Sequence, residues 1–162
     1  MYDLLCKIQT LSKNSIIDEK VHYDGTIKSA VFFLFLKNSE GFSILLLKRS
    51  NYLNNHPGEI CFPGGTYKPE DGNLITTAFR ETFEESGISR RNIKWVSALN
   101  YEDTRTGFRI YPFIGVIENE DIINIDNSEI VKYITVSVKQ LREVLNLKKL
   151  WFTNNNALYS KP

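Results

Sequence analysis

The chain has 162 residues, of which 42% are hydrophobic and 24% are charged, and its formal net charge is +1. This composition is typical of a soluble globular protein, and the length predicts one domain over residues 1–162. A net charge so close to zero argues against a broad electrostatic surface for nucleic acid. No apolar stretch approaches the roughly 20 residues that span a bilayer, so we expect no membrane partner.

The two cysteines, Cys6 and Cys61, are too few for a disulfide framework and are typical of a reducing compartment. The first residues do not follow the pattern of a signal peptide, since Asp3 stands near the start and no long apolar core follows. The cytoplasm is therefore the expected location. Cys61 lies in an apolar run, where a buried and inert thiol is expected.

The first half of the chain predicts a short helix and then two paired strands. Residues 3–12 carry apolar side chains at helical spacing. The continuous apolar run at 28–37 predicts a central strand covered on both faces. Turn residues at 38–41 and a second apolar run at 42–48 predict a β-hairpin. The polar residues 48–61 predict a loop that ends in a short strand.

A polar loop after two glycines precedes a predicted helix that begins at residue 73 or 74 and ends at Gly87. Its expected core-facing positions are Leu74, Ala78, Phe79 and Phe83, with the acidic residues on the opposite side.

The second half of the chain predicts three strands, at 93–101, 108–118 and 130–136, and a helix at 138–147. Residues 102–107 predict a polar turn, and residues 119–129 a surface loop. Pro112 inside the second of these strands predicts a sheet edge or a bulge at that point.

Three carboxylates stand together in the central helix. Glu81, Glu84 and Glu85 lie at i, i+3 and i+4, so on a helix they share one face within a few ångströms. Such crowding is unfavourable unless a cation is bound, and magnesium prefers oxygen ligands together with substrate phosphates. A run of acids is also typical of a solvated helix face, so the spacing alone leaves both interpretations open. The glycine loop directly before the helix favours the metal site.

The stretch from 65 to 88 resembles the Nudix box, the signature of pyrophosphohydrolases that act on a nucleoside diphosphate linked to another moiety. The matching residues are Gly65, Arg80, Glu81, Glu84, Glu85, Gly87 and Ile88. Two features differ from the commonest form of the box. Asp71 stands where most members have glutamate, and the gap from Asp71 to Arg80 is one residue longer.

The upstream residues resemble the additional signature of the coenzyme A pyrophosphatase branch of this superfamily, which tolerates both differences. The matching segments are residues 45–50, Gly58 and residues 62–65, and residues 104–115 and 127–130 resemble later landmarks of the branch. Asn54 stands where the branch usually has arginine, and Leu47 where it usually has threonine. The resemblance covers approximately residues 28–141.

The resemblance implies an α/β fold, the Nudix α/β/α sandwich with a mixed β-sheet. The C-terminal helix of that fold is shortened or absent in this sequence, so we expect either the helix at 138–147 or a partner subunit, as in a homodimer, to cover part of that sheet face. Mg²⁺ or Mn²⁺ is the implied cofactor, and the substrate partner is a small nucleotide similar to coenzyme A.

The resemblance also implies a role for each site residue. Glu81 and Glu85 are implied as catalytic metal ligands, and Glu84 either as a further ligand or as the residue that orients the attacking water. The Gly64 carbonyl is implied as another ligand, and Arg80 as the residue that orients a glutamate. The implied substrate-binding residues are Arg49, Ser50, Gly58, Glu59, Phe62 and Gly65. His56 and Glu129 are each either a contributor to the site or a structural or solvated residue.

The implied reaction is metal-assisted hydrolysis of coenzyme A, or of its derivatives, to 3′,5′-ADP and 4′-phosphopantetheine. Asn54 leaves open another substrate, such as ADP-ribose, NADH or a dinucleoside polyphosphate. A third interpretation is a regulatory module that binds nucleotide without catalysis. The complete set of one arginine and three glutamates argues against it, since binding alone does not require such carboxylate crowding.

Overall fold

The computed structural model describes residues 24–39 and 41–144, apart from the side chains at 95 and 96. The expectations for residues 3–12, for Cys6 and for the chain after residue 144 lie outside this part. Among the described residues, none of the helices is both long and apolar enough to cross a membrane.

Eight strands of the described chain form one mixed sheet. They are β1 (Ile27–Asn38), β2 (Gly41–Arg49), β3 (Ile60–Cys61), β4 (Gly64–Thr66), β5 (Lys94–Ala98), β6 (Glu102–Asp103), β7 (Phe108–Ile117) and β8 (Ile130–Ser137). The main order is β3-β2-β1-β7-β5, with β4 paired to β1, β6 to β7 and β8 to β2. The β1–β7 pair is parallel and all the others are antiparallel.

Strand β1 is central, as its apolar run predicts. Phe32, Leu34 and Leu36 are fully buried on one face, whereas Phe33 and Phe35 on the other face are half-buried. This difference arises because side chains alternate along a strand. Within the described residues, β1 is therefore covered completely on one face, as predicted, and only partly on the other.

Two strands share one edge of β1. The predicted hairpin forms where residues 35–38 pair with residues 41–44 of β2, and β4 pairs with residues 29–31 further back. The Phe32 N–H donates to the Pro63 carbonyl at 2.8 Å between these two pairings. The glycine pair at 64–65 is thereby built into the sheet beside its central strand.

The helix α1 (Leu74–Ser86) packs on the fully buried face of the sheet. Asn73 caps its start by accepting the Thr76 N–H at 2.9 Å, and the Gly87 N–H donates to the Phe83 carbonyl at its end. Both predicted helix ends are confirmed. A second helix, α2 (138–144), follows β8 directly, as predicted for the part of it that is described.

The predicted burial of α1 is wrong at two positions. Phe83 is 56% exposed and Glu85 only 7%. A helix turns by about 100° per residue, so Phe83 lies about 140° from the buried Ala78, while Glu85 returns to within about 20° of it. The acidic residues therefore do not all lie opposite the apolar stripe, because Glu85 occupies its centre.

Pro112 lies in an interior strand, so the expectation of a sheet edge is wrong. Strand β7 runs between β1 and β5. Its antiparallel neighbours on one side are β5 and β6, and the gap between these two strands lies beside this proline. The Leu99 N–H donates to the Pro112 carbonyl at 2.9 Å in this gap. The missing N–H of proline is tolerated where the ladder is already irregular. The residues predicted as one turn, 102–107, contain the two-residue strand β6.

Two phenylalanines of α1 test the observed burial. Phe79 is 8% exposed and contacts Phe32 with ring centroids 5.0 Å apart, so Phe79→Ala is expected to lower the free energy of unfolding by about 3–5 kcal/mol. Phe83→Ala is expected to change it by less than about 1 kcal/mol. Urea denaturation measures both, and equal losses in the two variants would show that Phe83 is a core residue.

Candidate active site

Arg80 uses all five of its guanidinium N–H groups. Nε and Nη2 donate to the two carboxylate oxygens of Asp71 at 2.7 and 2.9 Å. Nη1 donates to Glu81 Oε1 at 2.7 Å and to Glu84 Oε2 at 3.1 Å, and Nη2 also donates to the Thr66 carbonyl at 3.2 Å. Since a guanidinium has five N–H donors, none remains for a ligand. Arg80 can therefore position carboxylates, but its donors are not available to a substrate in this arrangement.

Asp71 reaches Arg80 despite the longer gap between them. Its carboxylate also accepts the Lys68 N–H at 3.0 Å and the Thr77 hydroxyl at 2.8 Å, and its side chain is 4% exposed. The hydrogen bond from Arg80 holds the pKa of Asp71 well below its usual range. The short turn at 69–71 and the loop to Asn73 thus accommodate the additional residue without loss of this ion pair.

Glu85 is the buried carboxylate of the site. Its Oε2 accepts the Gly64 N–H at 2.9 Å, and its Oε1 lies 4.0 Å from Arg49 Nη1. Burial raises the pKa of Glu85 to about 7, against the lowering effect of the Gly64 hydrogen bond, and the nearby charge of Glu81 raises it further. One hydrogen bond and an arginine at 4.0 Å offset only part of the cost of burying this charge. The ionised form of the carboxylate is therefore poorly stabilised without an added cation.

The two glycines of β4 allow the strand to approach α1. A Cβ on Gly65 would lie 2.5 Å from Glu81 Cδ, and a Cβ on Gly64 would collide with the Ala30 carbonyl. Residue 64 also has a φ of +148°, which side chains rarely adopt. Gly65 is therefore required by the close approach of β4 to Glu81 of α1, and Gly64 by the close approach of β4 to the backbone of β1.

The carboxylates do not converge as a ready-made metal cluster. In the part of the chain that the structure describes, no three His, Cys, Asp or Glu side chains lie close enough to hold an ion. Arg80 binds Glu81 and Glu84, while Gly64 binds Glu85 on the other side. The residues nevertheless fit a hard divalent cation, because the donors are oxygens and Arg49, at 4.0 Å, is the nearest counter-ion of the buried Glu85 among the described residues.

Arg49 enters the site from β2. Its side chain is 20% exposed, and its Nε is buried without a hydrogen-bond partner among the described residues. A guanidinium that lacks a hydrogen-bond partner at Nε and, in the described part of the chain, has only one carboxylate, at 4.0 Å, favours an anionic ligand such as a phosphate. Cys61 lies nearby as a half-buried free thiol, and burial raises its pKa.

Ser50, Gly58 and Glu59 lie in the loop after β2. Ser50 is buried and its carbonyl accepts the Gly58 N–H at 3.1 Å, which closes the loop. Glu59 is exposed and pairs with His56 Nδ1 at 3.0 Å. These predicted substrate-binding residues therefore shape the loop beside Arg49. Phe62 packs on Phe33 with ring centroids 3.9 Å apart, on the face of β1 opposite α1.

Asn127 is a functional candidate that the sequence interpretation did not single out. Its Nδ2 donates to the carbonyls of Glu84 and Glu85 at 3.4 and 3.0 Å, and its Oδ1 accepts the N–H groups of Glu129 and Ile130 at 3.0 and 2.8 Å. It therefore fastens the end of α1 to the start of β8. An asparagine that opens a turn before a strand is a weak sequence signal for such a role.

Glu129 acts on the site through its charge. Its backbone carbonyl accepts the Ser50 N–H at 2.7 Å, and its carboxylate raises the pKa of Glu85. It is exposed, as the interpretation of a solvated residue predicts, but it belongs to the electrostatic surroundings of the buried carboxylate.

The candidate site combines a mixed sheet, a helix that carries an arginine and three glutamates, and a glycine pair next to that helix. The NUDIX domain family matches residues 26–159, and the chain belongs to that family. Members of the Nudix family generally depend on a divalent ion such as Mg²⁺ or Mn²⁺.

Relatives identified by sequence agree with this assignment. Nudix hydrolase 3 of Caenorhabditis elegans is 32% identical over 124 residues, which are 74% of this chain and 50% of that protein. The uncharacterized Nudix hydrolase NudL of Enterobacter sp. (strain 638) is 34% identical over 90 residues, or 56% of this chain and 47% of that protein. The chain thus spans about half the length of these curated relatives.

Solved structures confirm the Nudix α/β/α fold. An Ap4A hydrolase binary complex of C. elegans aligns with a TM-score of 0.58 and 17% identity over 74% of this chain and 86% of that one. The NUDIX domain of Shewanella oneidensis NrtR, complexed with ADP ribose, aligns with a TM-score of 0.58 and 17% identity over 76% of this chain and 79% of that one.

The buried carboxyl of Glu85 predicts a pH dependence of stability. Its folded pKa of about 7 lies above its ordinary 4.5, so its contribution to stability is fully present below the ordinary value and is lost as pH rises through about 7. Without metal, the free energy of unfolding is expected to fall by about 2 kcal/mol between about pH 5.5 and pH 8 from this group. Urea denaturation in the presence of a chelator measures it.

Two variants separate this effect from other titrations. Glu85→Gln is expected to abolish the fall, whereas Glu84→Gln, on the half-exposed neighbour, is expected to retain it. The carboxyls of Asp24, Asp71 and Asp103 have lowered pKa values, so they titrate below this pH range. The same fall in Glu85→Gln as in the unchanged protein would contradict the assignment.

All the hydrogen-bond partners of the Asp71 carboxylate are N–H or O–H donors. Asp71→Asn places an amide NH₂ against Arg80 or Thr77, so we expect a loss of about 2–3 kcal/mol in the free energy of unfolding. Glu70→Gln in the same turn is the matched control and is expected to change it by less than about 0.5 kcal/mol. Chemical denaturation compares the two, and an unchanged Asp71→Asn protein would refute the anchoring role.

Proposed function

We propose that this chain is a divalent-metal-dependent pyrophosphohydrolase that cleaves the pyrophosphate bond of coenzyme A or its derivatives. The products are 3′,5′-ADP and 4′-phosphopantetheine. The observation that carries the proposal is the contact between Glu85 and Arg49, in which the buried carboxylate and a partly exposed guanidinium approach to 4.0 Å. This region joins the Nudix helix to the upstream segment that resembles the coenzyme A branch.

The metal-binding role falls to Glu81, Glu84 and Glu85, with the Gly64 carbonyl as a further oxygen ligand. A bound Mg²⁺ or Mn²⁺ would neutralise phosphate oxygens and lower the pKa of an attacking water. Glu85 supplies a carboxylate that its surroundings leave uncompensated, and Glu81 lies directly against Gly65. Arg80 acts as a positioning residue, since its donors are all used within the protein.

Arg49 is the proposed phosphate ligand. Its guanidinium, on a side chain that is 20% exposed, can donate to an oxygen of the pyrophosphate beside the metal-binding carboxylates. The hydrolysis forms a bond from the water oxygen to phosphorus and breaks the bond from phosphorus to the bridging oxygen. The other phosphate leaves with that oxygen, and the water proton passes to solvent or to the leaving group.

The choice of coenzyme A depends on the residues at 45–50, 58 and 62–65, which the fold gathers around Arg49 and β4. Asn54, where the branch usually has arginine, lies exposed in the loop and favours the alternative of another nucleotide substrate, such as ADP-ribose, NADH or a dinucleoside polyphosphate. A non-catalytic nucleotide-binding module is the second alternative. The uncompensated Glu85 argues against it, because that arrangement is costly without a metal function.

Further parts of the proposal concern the whole protein. We infer one Nudix domain over residues 1–162, a cytoplasmic location and a small nucleotide as partner, without nucleic acid or membrane. A homodimer would bring a second subunit to the partly covered face of the sheet.

Hydrolysis of a panel of substrates tests the function. The purified chain is incubated with Mg²⁺ and coenzyme A, ADP-ribose, NADH or a dinucleoside polyphosphate, and the products are resolved by mass. We expect coenzyme A to be cleaved with the highest kcat/KM. Preferred cleavage of another member of the panel would refute the substrate but retain the reaction class.

Substitution of the buried carboxylate tests the site. Glu85→Gln is expected to lower kcat by about 100-fold or more, because the transition-state charge loses its metal support. Glu102→Gln, at an exposed carboxylate of β6, is the control and is expected to retain full activity. Undiminished hydrolysis in Glu85→Gln would show that the activity does not arise here.

A further inference from the structure

We propose that Tyr52 is the stacking surface for the nucleobase of the substrate. The proposal depends on the proposed function, since it requires a nucleotide whose phosphates lie at Arg49. Tyr52 is 97% exposed, the highest exposure among the large hydrophobic side chains of the described residues. It lies in the loop at 50–59, which we call the β2–β3 loop.

The β2–β3 loop begins at the candidate metal site. Arg49 Nη1, just before the loop, lies 4.0 Å from Glu85 Oε1, and the Ser50 N–H donates to the Glu129 carbonyl at 2.7 Å. The base of the loop therefore contacts both segments whose carboxylates define the site. Tyr52 therefore lies in a loop whose base is held at the candidate site, three residues after Arg49.

The loop is closed by its backbone and does not need the tyrosine ring. The Gly58 N–H donates to Ser50 O at 3.1 Å, the Arg49 N–H donates to Glu59 O at 2.9 Å, and the Lys48 ammonium donates to the Gly58 carbonyl. Gly58 has a φ of +66°, and a Cβ there would collide with the Asn51 side chain. The exposed ring is thus not explained by packing within the described residues.

The backbone of Tyr52 is fixed although its ring is exposed. Its N–H donates to Ser50 Oγ at 3.3 Å, and Ser50 itself is 7% exposed. A tyrosine on a fixed backbone offers a large flat surface at a small cost in side-chain entropy. These are the properties that base stacking uses in nucleotide recognition.

The distance fits a nucleotide. Tyr52 follows Arg49 by three residues, so their Cα atoms are at most about 11 Å apart. A nucleoside attached to a phosphate at Arg49 can therefore extend to the ring. Stacking accepts any base in principle, and adenine is the base that the proposed substrate carries.

Tyr101 is a matched control. It is 51% exposed, but its ring is already covered by Arg109 at 4.3 Å from the centroid and by Tyr111 at 5.6 Å. It lies beside β6 and β7, away from the β2–β3 loop. Its replacement removes a tyrosine without removing the proposed stacking surface.

Isothermal titration of the full chain with ADP, and separately with inorganic pyrophosphate, both with Mg²⁺, tests the proposal. Tyr52→Ala is expected to raise the Kd of ADP about 10-fold and to leave the Kd of pyrophosphate within about 2-fold, because only ADP has a base. Tyr52→Phe, which retains the ring, and Tyr101→Ala are expected to stay within about 3-fold for ADP. In hydrolysis, Tyr52→Ala should raise KM for the nucleotide and leave kcat unchanged.

The outcomes separate this proposal from the proposed function. Unchanged ADP affinity in Tyr52→Ala, with hydrolysis intact, would overturn the stacking role and leave the function standing. An equal loss for ADP and pyrophosphate would also overturn it, since it would indicate a distorted loop. An unchanged protein that neither binds ADP or pyrophosphate nor hydrolyses any member of the panel would overturn both.

Discussion

The ion-pair network of Arg80 is the interaction on which the site depends. One guanidinium joins the Asp71 turn, the Thr66 carbonyl of β4 and two glutamates of α1. Because all five donors are used in directed hydrogen bonds, small changes in any of the three segments are opposed by the other two. Arginine is required for this role, since a lysine ammonium has three donors and no planar fork. The network places β4 against the helix before any ligand is present.

Glu85 differs from Arg80, because its buried charge reduces the stability of the fold and we propose a function for it. It stands in the centre of the apolar face of α1, where a leucine or alanine would pack at lower cost. Gly64 supplies only one hydrogen bond, and Arg49 remains at 4.0 Å. The burial that raises the pKa of Glu85 also makes it a strong acceptor for a cation that enters the site. Residues that lower the stability of their own surroundings are expected at functional positions.

The fold of the β2–β3 loop is independent of most of its side chains. Its closing bonds run between backbone groups, apart from the Lys48 ammonium. Side chains such as Asn54 and Tyr52 can therefore differ without loss of the loop. In the proposed function, this arrangement separates the carboxylates on α1 and the glycines of β4, which we propose for the chemistry, from the loop that we propose for contact with the remainder of the substrate.

The sequence by itself determined the order of the longer strands and of α1, both ends of α1 and the carboxylate series, because these depend on local patterns of polarity and capping; the short strands β4 and β6 were not predicted. The burial of Glu85 can also be derived from the sequence, because Glu85 follows Ala78 by seven residues, which is nearly two full helical turns. The same helical geometry places Phe83 about 140° from Ala78. Only the tertiary structure decided that Pro112 is interior, and that Arg49 and Asn127 reach the end of α1. These contacts join residues 36 and 42 positions apart in the chain, at Arg49–Glu85 and Asn127–Glu85. Sheet pairing and helix packing create them, and no local pattern specifies which distant side chains they bring together.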